Sequence, residues 1–380
     1  MKFLFASDSF KGSLTSEQTI QLLTQAAREV FPEAECCGVP IADGGEGTVQ
    51  AIVSAVGGTL VTTEVHDPLM NKIKATYGIV NGHRAVIEMA SASGLPLVPV
   101  SSRNPLCTTT YGTGELIVDA LDHGCREIAI AIGGSSTNDG GMGCMRALGM
   151  RFLTKDGKEL SGCGRELIEV AHIDTSGLDD RLEKCHITIM CDVNNPLCGE
   201  NGATYTFAPQ KGASPPMLEQ LEKGMCHYRD VIRAQWDVDV DAIKGGGAAG
   251  GLGIALKVFL GGQMQSGIES VMQLIGFDKK LKEVDLVITG EGRTDRQSIC
   301  GKVMQGVGLH AQRFGIPCIG LSGSLGEGAE GLFDCGVSSL HSITSHPMSL
   351  AYAMEHAATL YYHAAVRLFR TLKMGMLLKS

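Results

Sequence analysis

The side chains best suited to chemistry sit in short glycine-rich stretches, each behind a run of apolar residues. "SDSFKG" carries Asp8 and Lys11, and "ADGGEG" carries Asp43 and Glu46. Behind "IAIAI" comes "GGSSTNDGG", with Gly133, Gly134, Ser135, Ser136, Thr137, Asn138 and Asp139. "CDVNNP" supplies Asp192, "APQKG" supplies Lys211, and "GEGRTDRQS" supplies Gly290, Glu291, Gly292, Arg293, Asp295 and Ser298. Glycine lets backbone N–H groups approach an anion closely, and a helix starting behind the loop adds its positive end. Hydroxyls are short donors, and lysine or arginine brings full charge. Carboxylates repel phosphate unless a divalent cation sits between them or one of them removes a proton. The mixture points to phosphoryl transfer with magnesium. Singly, each part has an ordinary use. Glycines make tight turns, and an acid at a strand end caps a helix or closes an Asx-turn. That bland use suits Asp192, before "VNNPLCG", as well as catalysis does. What separates these stretches from ordinary turns is one combination recurring at several strand ends, where open parallel sheets bind ligands.

The elements that must position them follow from periodicity. A first strand is expected over Lys2 to Asp8. In "SEQTIQLLTQAAREVF" the residues Ile20, Leu22, Leu23, Ala26, Ala27 and Val30 keep helical spacing, with Thr15 or Ser16 as N-cap. "ECCGVPIADGGEG" and "TVQAIVSAV" repeat the strand–helix plan. Near the other end "VDLVITGEGRTD", "IPCIGLSGSLG" and "VSSLHSITS" read as strands, separated by helices such as Lys302 to Phe314. That rhythm means a parallel sheet with right-handed crossovers. The middle differs: "GTLVTTEVHDPLMNKIKATYGIVNGHRAVIEMA" holds β-rich runs, with turn signals at Pro68 to Asn71 and at Asn81-Gly82. The expected architecture is α/β with two domains. Residues 1–60 and 281–380 build a parallel α/β domain, and 61–280 form a mixed α/β domain inserted between them.

Composition sets the class. A chain of 380 residues with 44% hydrophobic and 19% charged residues is a packed globule of two domains by default. The 32 basic against 41 acidic residues argue against nucleic acid or an anionic membrane as partner. The 13 cysteines show no CxxC or paired Cys/His spacing, and HExxH is absent, so no zinc motif is read. They read as reduced thiols, mostly small core residues, in a cytoplasmic protein. "FLFA" is too short for a signal peptide, and no run is long enough for a transmembrane helix. The 11 histidines, 16 methionines and Trp236 read as surface or packing residues.

Two familiar motifs fail. GxxxxGK[ST] does not occur, because before Gly301-Lys302 Arg296 replaces the first glycine and Val303 the hydroxyl. "GGGAAG", Gly245 to Gly250, matches GxGxxG, yet the charged "WDVDVDAIK" before it is no buried strand.

The set of stretches "SDSFKGSL", "PIADGGEGT", "YGTGELI", "IGGSSTNDGG", "CDVNNPL", "PQKGA", "GGGAAGGLG" and "ITGEGRTDRQS" resembles, in content and order, the bacterial type I glycerate kinases. The likeness spans Asp8 to about Ser324. It departs where the family often has Pro at Ser7, Ala at Ser136 and Gly at Ala208, none of which removes an acid or a cation. The resemblance implies a flavodoxin-like α/β domain joined to a restriction-enzyme-like one, with the active site between them. It also implies ATP and Mg²⁺ as cofactors and phosphorylation of D-glycerate, in many members at the 2-hydroxyl.

Chemistry then suggests roles. The acceptor's carboxylate needs a cation, Arg293 or Lys11. The attacking hydroxyl needs a carboxylate, Asp192 or Asp295. Magnesium suits Asp43, Glu46 or Glu291. Gly133, Gly134, Ser135, Ser136, Thr137, Asn138, Lys211, Gly290 and Gly292 are expected to cradle phosphate or substrate. The competing expectations are a 3-phosphoglycerate product, a kinase for another small hydroxy acid, a non-catalytic sugar-acid-binding protein, and an NAD-linked oxidoreductase built on "GGGAAG".

Overall fold

The computed structural model describes residues 1–42, 44–45, 47–299 and 301–378. In chain order its strands are β1 (Lys2–Phe5), β2 (Glu35–Gly38), β3 (Gly58–His66), β4 (Lys72–Val80), β5 (Arg84–Glu88), β6 (Glu127–Ala131), β7 (Arg151–Leu153) and β8 (His172–Asp174). There follow β9 (His186–Met190), β10 (Gln263–Gln265), β11 (Leu286–Thr289), β12 (Arg293–Thr294), β13 (Cys318–Ser322), β14 (Ser324–Leu325) and β15 (Val337–Ser342). The chain divides into two compact units, one of Met1–Asp43, Ser54–Val56 and Ile268–Ser380, the other of Gly44–Val53 and Gly57–Gly267.

The first unit holds a five-stranded sheet in the order β15-β13-β11-β1-β2, every neighbouring pair parallel. Helix Ser16–Val30 starts at Thr15, whose hydroxyl accepts from the Gln18 N–H while Gln18 accepts from the Thr15 N–H. This reciprocal cap satisfies two donors that a helix start otherwise leaves open. Its buried face, Leu23, Ala26, Ala27 and Val30, joins Phe3 and Phe5 of β1 and Tyr361 and Phe369 of helix Ala357–Leu377 in one core. Strand β1 is shorter than the Lys2 to Asp8 read from the sequence. Past Phe5 its backbone still donates from Ala6 to Ile288 O and from Asp8 to Gly290 O, at 2.8 and 2.9 Å. Those two bonds carry Asp8 out to the sheet's carboxyl edge. "VSSLHSITS" likewise stops pairing at Ser342.

The second unit holds a six-stranded mixed sheet in the order β10-β9-β6-β5-β4-β3. Strands β10, β9, β6 and β5 run parallel, whereas β4 and β3 pair antiparallel. Both turn signals are used: Met70 and the pair Asn81-Gly82 adopt positive φ, the conformation tight hairpin turns demand. Tyr77, Ile87, Ile130, Met145, Phe152, Tyr228 and Leu252 belong to the unit's core. Among the described residues no helix is long and apolar enough to cross a membrane.

Candidate active site

In the first unit the sheet order reverses between β1 and β11, where strands on either side leave in opposite directions. A crevice opens at such a point beyond the strands' carboxyl ends. Here it is a cleft of about 610 Å³. Its polar side carries Asp8 and Lys11 from the loop after β1, Glu291 and Arg293 from the segment after β11, and Lys302 ahead of helix Val303–Arg313. Its apolar side carries Phe10, Ile343, Met348, Leu350 and Met354.

Glu291 is buried, and its Oε1 accepts from the Ser298 and Thr294 hydroxyls at 2.5 and 3.2 Å. Burial pushes this carboxyl above its usual range, against the pull of Ser298, Lys302 and Thr294. Arg293 is mostly exposed, its Nε 3.2 Å from Asp295 Oδ2. Asp295 Oδ1 also accepts from the Gln297 N–H at 2.9 Å, which closes the turn Arg296–Ile299. Asp8 Oδ1 accepts from the Ser9 N–H at 2.6 Å. Gly290 owes its identity to packing, since a Cβ there would lie 2.0 Å from Leu321 O on β13. Gly292 lines the cleft itself.

The second unit uses its glycine-rich connection differently. Behind β6, Gly133 and Gly134 are exposed, but Ser136, Thr137, Asn138 and Asp139 turn into the interior. Ser136 Oγ donates to Ser93 O and Asn138 Nδ2 reaches Thr204 Oγ1, at 3.0 and 3.4 Å. Asp139 accepts from the Thr110 N–H, the Thr110 hydroxyl and the Gly141 and Gly143 N–H groups, at 2.7 to 3.2 Å. Burial pushes its carboxyl up, and these donors oppose that. Lys211 lies beneath the loop, 2% exposed, with Nζ donating to Ser135 Oγ and Thr137 O at 2.7 Å each. Desolvation brings its ammonium down to about 7, with Asp139 pulling the other way. "GGGAAG" packs on the same loop: a Cβ on Gly250 would lie 2.1 Å from Thr137 O, and the Gly140 N–H donates to Gly250 O at 2.9 Å. These glycines serve backbone contact, and the segment before them, Val240–Ala242, is a 3₁₀ turn rather than a strand. Asp192, behind β9, accepts at Oδ1 from Ser266 Oγ and the Gly267 N–H, at 2.9 and 2.8 Å.

The expected residues therefore fall into sets. Lys11, Glu291, Gly292 and Arg293 meet at the cleft, with Asp295 bonded to Arg293 behind it. In the second unit Gly133, Gly134, Ser135 and Lys211 cluster, with Asp192 at the end of β9. Asp43 and Glu46 lie outside the described residues. Lys302 went unread as a cleft cation, although its place just ahead of a helical pattern was visible. The Ile343 to Met354 wall carries no sequence signal, because apolar residues there look like any packing face.

A sequence profile described as the Glycerate kinase family matches residues 3–373. The chain is 44% identical over 363 residues to a glycerate kinase of Halalkalibacterium halodurans, covering 95% of this chain and 96% of that protein. It is 44% identical over 377 residues to the glycerate 2-kinase of Escherichia coli K12, covering 99% of each. A crystal structure of a proposed glycerate kinase 2 from Salmonella typhimurium LT2 superposes with a TM-score of 0.90 at 44% identity, over 99% of both chains. An α/β chain with a parallel five-stranded sheet, a mixed six-stranded sheet and these matches along nearly its whole length belongs to the glycerate kinase family.

Proposed function

We propose that the chain transfers the γ-phosphoryl group of ATP directly to the 2-hydroxyl of D-glycerate with Mg²⁺, giving 2-phosphoglycerate. The family makes it a phosphotransferase with glycerate as acceptor and ATP as donor. What carries the finer reading is the make-up of one cleft, where Lys11, Arg293 and Lys302 stand with Asp8 and Glu291 beside an apolar wall. Three cations suit a triphosphate, the wall suits a nucleobase, and an all-oxygen pair of carboxylates suits Mg²⁺. Bound there, Mg²⁺ would neutralise the β- and γ-phosphate oxygens. Asp8 and Glu291 would hold it, with Asp43 and Glu46 as further candidates from sequence. Ser298 and Thr294 keep the Glu291 carboxylate aimed, and Lys302 or Lys11 offsets charge as the phosphoryl group leaves.

Arg293 or Lys11 takes the glycerate carboxylate. Gly133 and Gly134 present the ligand-facing part of the glycine-rich loop, which Ser135, Ser136, Thr137, Asn138 and Lys211 brace from inside. The base is Asp192 or Asp295, each already oriented by two partners. The strand order of the first unit's five-stranded sheet, 2-1-3-4-5 counted within that sheet, supports a flavodoxin-like reading. The second we read as a restriction-enzyme-like domain inserted into it.

Phosphorus NMR of the protein with ATP, Mg²⁺ and D-glycerate tests the reaction. A 2-phosphoglycerate signal is expected, and 3-phosphoglycerate alone would overturn the regiochemistry. Asp192→Asn and Asp295→Asn separate the bases. The true base loses about 10²–10⁴ in kcat with little change in the KM for ATP, and two near-normal variants would remove both.

A further inference from the structure

Away from these strand ends, helix Pro215–Trp236 places Glu222 and Cys226 one turn apart on the same face. The loop behind Asp192 brings Cys198 against them. Cys198 Sγ, Cys226 Sγ and a Glu222 carboxylate oxygen all lie within 4.8 Å of one another, the one such grouping of three among the described residues. Three further observations bear on what it holds. The Gly199 N–H donates to Glu222 Oε1 at 2.6 Å, which fixes the carboxylate's orientation. The Cys226 thiol donates to the same oxygen at 3.6 Å, while Glu222 Oε2 is buried without a hydrogen-bond partner. A buried carboxylate oxygen left without a donor is costly unless something cationic meets it. Arg229, one turn beyond Cys226, lies close enough to act electrostatically on both thiols.

We propose that Cys198, Cys226 and Glu222 form a binding site for a borderline-soft divalent cation, Zn²⁺ by its chemistry, with water as fourth ligand. Two sulfurs and one oxygen are a donor set that Zn²⁺ accepts and that Mg²⁺ or Ca²⁺ does not. At Zn–S distances of about 2.3 Å, tetrahedral ligands stand roughly 3.8 Å apart, so the three side chains need close by only about 1 Å. Both thiol protons leave to solvent on binding. Two thiolates, a carboxylate and Zn²⁺ together carry one negative charge, which Arg229, itself paired with Asp230 and Asp241, offsets in part. The ion ties the loop that starts at Asp192 to the long helix, a cross-link that holds one end of that loop. The sequence concealed it: the ligands stand as C-x23-E-x3-C, where the short interval pairs a cysteine with a glutamate and the long one matches no zinc motif.

The full-length protein, reduced and stripped with a chelator, is titrated with Co²⁺ as a spectroscopic probe. One equivalent should raise thiolate-to-cobalt charge-transfer absorption with intense tetrahedral d–d bands, and Zn²⁺ should abolish both. Cys226→Ser, at a half-buried position that tolerates serine, should bind on the order of 100-fold more weakly, and Glu222→Gln roughly 10-fold. Zn²⁺ should raise the melting temperature of the parent but not of Cys226→Ser. Absence of the charge-transfer band in the parent overturns the proposal, as does a band undiminished in Cys226→Ser. A Cys198–Cys226 disulfide whose reduced form binds no Co²⁺ overturns it too.

Discussion

Two strand ends draw on the same residue types, Gly290 to Asp295 in the first unit and Gly133 to Asp139 in the second. Behind β11 the charged groups stay at the wall of an open cleft, Arg293 mostly in solvent and Glu291 bonded to neighbouring hydroxyls. Behind β6 the hydroxyls, the amide and the acid are drawn inward and bonded to Ser93, Thr110, Thr204 and Lys211. The difference lies in what crosses each end. Beyond β1 and β11 the reversal of strand order sends neighbouring segments apart. Beyond β6, in the middle of its sheet, the segments at Thr108–Thr110, Lys211 and Gly250–Gly251 all pack against the loop. A loop's composition says what it can bond to, and the segments crossing it decide whether that partner is ligand or protein.

The contrast predicts that one end fails by unfolding and the other by losing turnover. Asp139→Ala strands four donors in the interior and should cost about 3–5 kcal/mol in urea unfolding. A loss under 1 kcal/mol would mean that the inner network matters little. Lys302→Ala should instead lower kcat/KM for ATP by about 100-fold, with unfolding unchanged to within about 0.5 kcal/mol. A stability loss without a kinetic one would break the comparison. Lys211 supplies a pH test. Its folded pKa, about 7, lies below the ordinary 10.5, so between those values the unfolded chain binds the extra proton. Stability should rise with pH across that window, by up to about 1.4 kcal/mol per unit, and Lys211→Met should flatten the rise relative to the parent. The smallest effect sharpens the cleft's side. Burial raises the Glu291 pKa above its unfolded value, so its favourable contribution is present below about 4.5 and lost as pH rises through the folded value. Glu291→Gln should therefore gain up to about 1 kcal/mol at neutral pH while turnover falls. A variant both weaker and slower would argue that the charge is structurally needed.

Much of this was legible in the residues. Thr15 ahead of an apolar stripe marked the first helix, and Asn81-Gly82 marked the hairpin of β4 and β5. The clusters at Asp8 and Glu291 stood where parallel strands end. These signals are local: a cap, a turn and a periodicity act within a few residues. The reach of "GGSSTNDGG" was less legible. Its expected ligand face extended to Asn138, whereas Ser136 to Asn138 face the interior and only Gly133 and Gly134 stay exposed.

The sequence alone determined the alternation of strands and helices, the acids, cations and glycines available at each strand end, and the family to which their order belongs. Only the tertiary structure decided which of those groups lost water. Lys211 is expected at a ligand from its sequence, and the fold instead buries it against Ser135 and Thr137, while Glu291 becomes a buried acid only when Ser298 and Thr294 fold against it. Cys198 meets Glu222 and Cys226 across more than twenty residues of chain. Desolvation and ligand geometry depend on segments distant in sequence arriving at one place, and no local pattern carries that information.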